Sequence, residues 1–299
     1  MRYLVFLSLF MALVPSLSAT AQDNAPPEPV PANGMVILVT DYGADSVYVG
    51  AIKGAIYSTF PNAKVDAITN SVPEFDVLAG AFCLAEACPT YPPGTTFCCV
   101  VDPGVGTERR VVVLRTKSGH LFVAPDNGLL TLVADKLGVA ALFEGNNRAL
   151  WRATIPSNTF HGRDIFGPLA ANLASGVPIE KVGEPLASMV RLDIPVSAVD
   201  NGKTTGVVIR VDSYGNMITN IPQENVAALG VNEGDKLQVT LGKAEFVVPF
   251  VATYGAVEKG TRLALIQSAG YLEFAVNLGN LANEIGEGLH AAVVVQKAP

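Results

Sequence analysis

Residues 35–60 read MVILVTDYGADSVYVGAIKGAIYSTF: an apolar, β-branched run, Met35–Thr40, then the turn Asp41-Tyr42-Gly43, then a helical stretch, Val47–Phe60. An unbroken apolar run marks a strand buried on both faces, and a strand of that kind followed by a helix opens an α/β unit. The pattern continues with strand-like Lys64–Thr69, helix-like Asp76–Ala87, strand-like Thr96–Val101, and the paired runs Arg110–Thr116 and Leu121–Ala124 turned at Ser118-Gly119. Helix-like Leu129–Leu137 and Asp164–Leu173 follow, the second stopped by Ser175-Gly176 and Pro178. An α/β N-terminal domain is expected over residues 34–190. Past a connector, 191–203, long helical periods vanish. Short runs remain: Thr205–Val211, Met217–Ile221, Lys236–Leu241, Glu245–Phe250, Arg262–Ile266 and His290–Gln296. Separated by Gly, Asn and Pro, they predict an all-β, barrel-like C-terminal domain over 204–299, making a two-domain chain.

Composition narrows the class. Of 299 residues, 49% are hydrophobic and 16% charged, which excludes disorder as the main state. The net charge of −7 removes any general attraction to nucleic acid. Arg2, the apolar run Tyr3–Val14 and the small residues to Ala21 read as a secretory leader, residues 1–21, too short and broken by Pro15 to span a membrane. A Pro-rich linker, 22–33, follows. The mature protein is therefore expected to be exported, periplasmic or extracellular, without a stable membrane anchor. In that setting Cys83, Cys88, Cys98 and Cys99 could form one or two disulfides. Neighbours on a strand, Cys98 and Cys99 point to opposite faces, so a link from Cys83 or Cys88 to one of them is the favoured pairing, with four packed thiols as the alternative.

Four loops carry Asp, Asn or His beside Gly where core packing does not ask for them: Thr40–Gly43, Val101–Gly106, Ala124–Gly128 and Thr159–Asp164. The first two begin where strands end, and in an open α/β sheet ligands bind at the carboxyl ends of strands. Asp41 and Asp102 fall there, although each also suits a turn or a helix cap. Nucleophile-elbow, phosphate-loop, zinc-helix and dinucleotide signatures are missing. Of three histidines, His161 alone sits in a Gly- and Arg-flanked loop at a helix start.

Asp41-Tyr42-Gly43 with Asp45, Tyr48-Val49-Gly50 and Lys53-Gly54, then Asp102–Gly106 with Arg109, Ala124–Thr131, Thr159–Phe166, Asp212–Ile221 and Ser268–Asn280 together resemble the S-adenosyl-L-methionine (SAM) hydroxide adenosyltransferase family, hydrolytic relatives of the fluorinases and chlorinases. The resemblance runs in order from about 35 to 296. It implies a homotrimer with its active site between one subunit's N-terminal domain and its neighbour's C-terminal domain, and hydrolysis of SAM to adenosine and L-methionine. It places Asp102, Arg109 and His161 around the attacking water. It puts Asp41 on the ribose hydroxyls, Phe75 beside methionine, Tyr214 and Asn216 at adenine, Asp212 and Ser46 at the methionine ammonium, and Ser268 at its carboxylate.

The chemistry suits such residues. A sulfonium leaves as a neutral thioether, so water attack at C5′ needs no acid at sulfur, no metal and no cofactor; SAM enters as substrate. Two departures from the family pattern stand out: Asn70 where many relatives have His, and Ala269 where halogenases carry Arg. Two other functions stay open. The leader suits an exported adenosine- or nucleoside-binding protein without turnover. Halide-dependent adenosyl transfer is weaker, since halogenases have Tyr at the position of Asp102 and Tyr-Ser at His161-Gly162.

Overall fold

Strand β1 (Met35–Thr40) lies inside a six-stranded sheet with β2 (Lys64–Thr69), β3 (Thr96–Val100), β4 (Val111–Thr116), β5 (Leu121–Pro125) and β6 (Val139–Glu144), in the order β2-β1-β3-β5-β4-β6. The computed structural model describes residues 30–299; the leader and its expected cleavage after Ala21 lie outside the described residues. β2, β1, β3 and β5 run parallel, while β4 is antiparallel to both β5 and β6. Parallel pairing demands crossover helices, which cover both faces. Helices α1 (Val47–Thr59) and α4 (Gly167–Ala174) bury Val49, Ile52, Ile56 and Leu169 on one face. Helices α2 (Val77–Ala87) and α3 (Thr131–Leu137) bury Leu84, Val133 and Ala134 on the other. That double covering is why β1 and β3 read as continuous apolar runs.

From β1 the chain crosses to β2 on one side, and β3 lies on the other, so the strand order reverses between β1 and β3. Their carboxyl ends therefore diverge into a crevice at a topological switch point. Asp41 leaves β1 there, and Asp102 leaves β3 two residues past its end.

The C-terminal domain consists of β7 (Ala198–Asp200), β8 (Lys203–Val211), β9 (Met217–Pro222), β10 (Lys236–Leu241), β11 (Ala244–Pro249), β12 (Arg262–Ile266), β13 (Tyr271–Val276) and β14 (Ala292–Lys297), with two short helices. All named pairs are antiparallel, in the order β11-β10-β14-β8-β9-β13-β12, and β7 pairs with β8. A bridge from Phe250 to Ala264 brings the two edges together, so the sheet is a nearly closed barrel around Val208, Leu237, Val239, Leu272, Phe274 and Val295. β6, β7 and β13 were not anticipated. Tyr271–Val276 holds the buried Glu273, and that charged residue breaks the apolar pattern by which the other strands are recognised.

The two domains of the chain touch along α2. Phe82 packs with Ile209, Ile218 and the edge of the Tyr271 ring, and Arg210 pairs with Glu86.

All four cysteines are free thiols, against the favoured disulfide. Cys98 belongs to one core layer and Cys99 to the other, with Cys88; Cys83 lines a cavity between the domains. Burial pushes the Cys83 thiol up to about 11 and Cys88 to about 12, which suppresses the reactive thiolate. Unreduced protein denatured in guanidinium should titrate four thiols per chain with a disulfide reagent. The native protein should react far more slowly; a count of two or zero after denaturation would contradict the free-thiol core.

Candidate active site

At the switch point three side chains are joined in one array. The Arg109 guanidinium makes three hydrogen bonds to Asp102: Nε to Oδ1 at 2.9 Å and to Oδ2 at 3.0 Å, and Nη2 to Oδ2 at 2.5 Å. Nη2 also lies 2.7 Å from Nδ1 of His161. Both members of the ion pair are nearly buried, with side-chain exposures of 10% and 5%. Phe166 lies under the guanidinium, 5.1 Å from ring centroid to Cζ.

A guanidinium has donors and no acceptor, so Nδ1 of His161 must accept. The neutral imidazole then carries its hydrogen on Nε2. Burial first, and then the Arg109 charge, hold the His161 pKa below the ordinary 6.5, against the opposite pull of Asp102 and Asp164. A proton on Nδ1 would face an N–H of Arg109, so the array favours a neutral imidazole of fixed tautomer.

His161 heads a π turn, Gly162–Phe166, whose closing bond runs from Gly167 N–H to Gly162 O before α4 begins. The sequence pattern suggested an ordinary helix from Asp164; the wider turn instead sets His161 at the cavity wall. π turns are rare and often found at functional sites. Behind it, Asp164 accepts from Arg163 Nε at 2.7 Å, from Arg163 Nη2 at 2.9 Å and from Ser157 N–H at 2.9 Å, with Arg152 also in reach. The Arg163 bonds lead in pulling its carboxyl down to about 2, so the 152–164 loop is tied by an ionised carboxylate.

The cavity in front of the array measures about 340 Å³. Asp41, Tyr42, Tyr48, Glu74, Phe75, Asp102, Val105, Phe160 and His161 are among its walls. Asp41 Oδ2 accepts the Phe75 N–H at 3.0 Å, and Oδ1 has no partner among the described residues. Phe75 is 67% exposed and has φ 64°, in the left-handed region where a side chain costs roughly 1–3 kcal/mol. Tyr42, Tyr48 and Phe160 pack edge-on or tilted at 5.1–6.0 Å between centroids.

A second cavity, about 590 Å³, lies on the C-terminal domain and shares no wall residue with the first. Asp212, Tyr214, Asn216, Tyr254, Asn277 and Leu278 line it. Asp212 organises the β8–β9 turn: Oδ1 accepts from the N–H groups of Tyr214 and Asn216, both at 2.9 Å, and Oδ2 from Asn216 Nδ2 at 3.0 Å. That turn presents the Tyr214 ring, 72% exposed. Tyr254 is braced from behind, its hydroxyl donating to buried Glu273 at 2.6 Å.

Of the expected site residues, Asp41, Phe75, Asp102 and His161 meet in the first cavity, with Arg109 behind, and Asp212, Tyr214 and Asn216 meet in the second. Ser46 and Ser268 line neither. Ser46 caps α1, its hydroxyl accepting from Tyr48 N–H, and Ser268 sits in the β12–β13 turn. Asn70, in the position of the departure, accepts from the Thr40 hydroxyl at 3.0 Å. Sequence reasoning passed over Glu74, Tyr254 and Leu278. Leu278 is 79% exposed with φ 53°, and left-handed strain leaves no pattern in an apolar residue's neighbours.

Sequence models agree over both domains. One described as the SAM hydroxide adenosyltransferase N-terminal domain matches residues 36–183, and its C-terminal counterpart matches 206–294. A Salinispora tropica protein named (R)-S-adenosyl-L-methionine hydrolase is 39% identical over 84% of this chain and 93% of its own. An Actinoplanes protein named fluorinase is 30% identical over 90% of this chain and 100% of its own. A crystal structure titled as an uncharacterized conserved protein from Thermotoga maritima superposes with a TM-score of 0.84 at 41% identity, covering 88% of this chain and 99% of that one.

Gly162 tests the packing of the array. A Cβ there would stand 2.4 Å from the Tyr42 hydroxyl, closer than any real contact. Gly162→Ala should destabilise the fold by about 1–3 kcal/mol in denaturant unfolding, as overpacking does elsewhere. An unchanged midpoint would show that Tyr42 moves freely.

Proposed function

The chain belongs to the SAM hydroxide adenosyltransferase family, and from that premise we propose that it hydrolyses SAM to adenosine and L-methionine. The carrying observation is the Asp102–Arg109–His161 array at the wall of a cavity on the sheet's switch point. Water attacks C5′ of the ribose; the new C5′–O bond forms as the C5′–S bond breaks, and its electron pair passes to sulfur. The thioether is neutral and departs without an acid.

The array divides its work by hydrogen-bond type. Nε2–H of His161 donates to the water oxygen and aims it. Asp102, already fixed by Arg109, uses a free lone pair to accept the water's hydrogen, and the proton passes to solvent. Asp41 receives the ribose hydroxyls on Oδ1, and Phe75 covers the methionine side. Carboxylates Asp41, Glu74 and Asp102 around the first cavity favour a sulfonium substrate.

Adenine falls to Tyr214 and Asn216, which belong to the other cavity. One chain thus carries two half-sites, each rimmed by exposed apolar residues: Tyr48 and Phe75 on one, Tyr214 and Leu278 on the other. Joining the first half of one copy to the second half of the next is a head-to-tail contact, which forms a ring where the rotation between copies closes. The homotrimer implied by the family resemblance satisfies it. The leader-like N-terminus supports export, which fractionation of the source cells tests.

Incubation with SAM in oxygen-18 water should give labelled adenosine and equimolar methionine. Unlabelled or absent adenosine would overturn the reading, and a 5′-halo nucleoside formed with added chloride or fluoride would redirect it to halide transfer. Asp102→Asn and His161→Ala should each lower kcat by about 10²–10⁴-fold while mass by light scattering stays that of the oligomer. Protonating His161 disrupts its bond from Arg109, so kcat should fall on the acid side with a midpoint below 6.5. A profile flat through that range would remove the neutral imidazole from the step.

A further inference from the structure

Helix α2 is held at both ends by the C-terminal domain, and its first end adjoins the cavity residue Phe75. At the far end Arg210 on β8 donates to Glu86 at 2.7 and 3.2 Å. At the near end His290 Nε2 donates to Asp76 Oδ2 at 2.7 Å, across 214 positions of sequence. Asp76 is also the N-cap of α2, its Oδ1 accepting from Ala79 N–H at 2.8 Å. Its two oxygens are thus divided between the helix and the other domain.

Phe75 precedes this cap with φ 64°, and His290 itself has φ 65°. Non-glycine residues stay in that region only where their surroundings over-determine them, and such strain gathers at functional positions. Phe75 is held through its own N–H by Asp41 on one side and through Asp76 on the other. His290 is held by its N–H on Val208 O at 2.8 Å, while the adjoining Leu289 lines the interdomain cavity together with Val72 and Pro73. A strained residue on the barrel is thereby linked, through Asp76, to a strained residue in the cavity.

We propose that His290 is a positioning residue for the substrate half-site: through Asp76 it holds Phe75 in the conformation that covers the bound substrate. What fills the cavity rests on the SAM hydrolysis reading; the latch itself does not. A bond that merely joined the domains would act like the Arg210–Glu86 pair, which grips the same helix away from Phe75. A latch on Phe75 would instead act on binding.

The test compares purified wild type, His290→Ala, His290→Gln and Glu86→Gln. His290→Ala should raise KM for SAM about tenfold with kcat within about twofold, the signature of lost uniform binding. His290→Gln, whose amide N–H can donate to Asp76, should recover the wild-type KM, and Glu86→Gln should leave KM unchanged. Hydrogen exchange of residues 72–79 should quicken in His290→Ala and return in His290→Gln. Unchanged KM in His290→Ala, no recovery in His290→Gln, or an equal rise in Glu86→Gln would overturn the proposal. Should wild type not hydrolyse SAM, the functional reading fails separately, and the exchange of residues 72–79 alone decides the latch: quickened exchange sustains it and unchanged exchange ends it.

Discussion

Arg109 offers donors in a rigid fork and accepts nothing, and the geometry of the whole site follows from where those donors go. Three bonds fix the Asp102 carboxylate; one reaches His161 Nδ1 and so decides which imidazole nitrogen carries the hydrogen. Because the pair is nearly buried, removing one partner leaves an uncompensated charge and costs far more than an exposed ion pair would. The supports around it make sense as protection of that arrangement. Phe166 lies against the guanidinium, Asp164 ties down the loop that delivers His161, and Gly162 leaves room for the Tyr42 hydroxyl.

The fold supplies the place and the barrel supplies the remainder. A reversal of strand order between β1 and β3 opens a crevice, and the loops leaving those two strands deliver Asp41 and Asp102 into it. That crevice holds charge and the Asp102–Arg109–His161 array but presents Tyr48 and Phe75 to solvent. The barrel's cavity shows the complementary lack: aromatic surface and an amide edge, with no counterpart of the array. Exposed aromatic and aliphatic residues concentrated on two separate rims of one chain are costly in a monomer and useful in an assembly.

Much of this was legible beforehand, and for definable reasons. Strands buried on two faces announce themselves as apolar runs, which located β1 and β3, while short β-rich runs set off by Gly, Asn and Pro located most of the barrel. Gly, Asp and His at strand ends marked the cavity loops, and their joint order carried the family resemblance. What escaped notice depends on long-range partners. His290 read as an ordinary strand residue because nothing nearby indicates Asp76, 214 positions away. Tyr254 was passed over because its brace, Glu273, lies in a strand whose own charge hid it. Ser46 has the right type for a ligand contact, yet a hydroxyl at a helix start is worth more to the backbone N–H groups it caps. Cysteine spacing pointed to a disulfide, but all four thiols are free, with Cys88 and Cys99 packed in one core layer and Cys98 in the other.

The electrostatics of the cavity also separate water from halide as nucleophile. Asp41, Glu74 and Asp102 line it, whereas the Arg109 charge stands behind Asp102 and is neutralised by it. A halide entering beside these carboxylates would meet like charge, and desolvating it would not be repaid by donors, since the His161 imidazole offers a single N–H. A neutral water suffers neither penalty and can both accept from Nε2–H and donate to a carboxylate. Making room for an anion would require replacing Asp102, but that removes the partner that balances Arg109. Placing a hydroxyl-bearing side chain at 162 would collide with Tyr42 as the backbone now stands. The carboxylates that would receive a water's hydrogen are thus the same ones that disfavour a halide, so a change of nucleophile would require coordinated changes at Asp102, Gly162 and their supports.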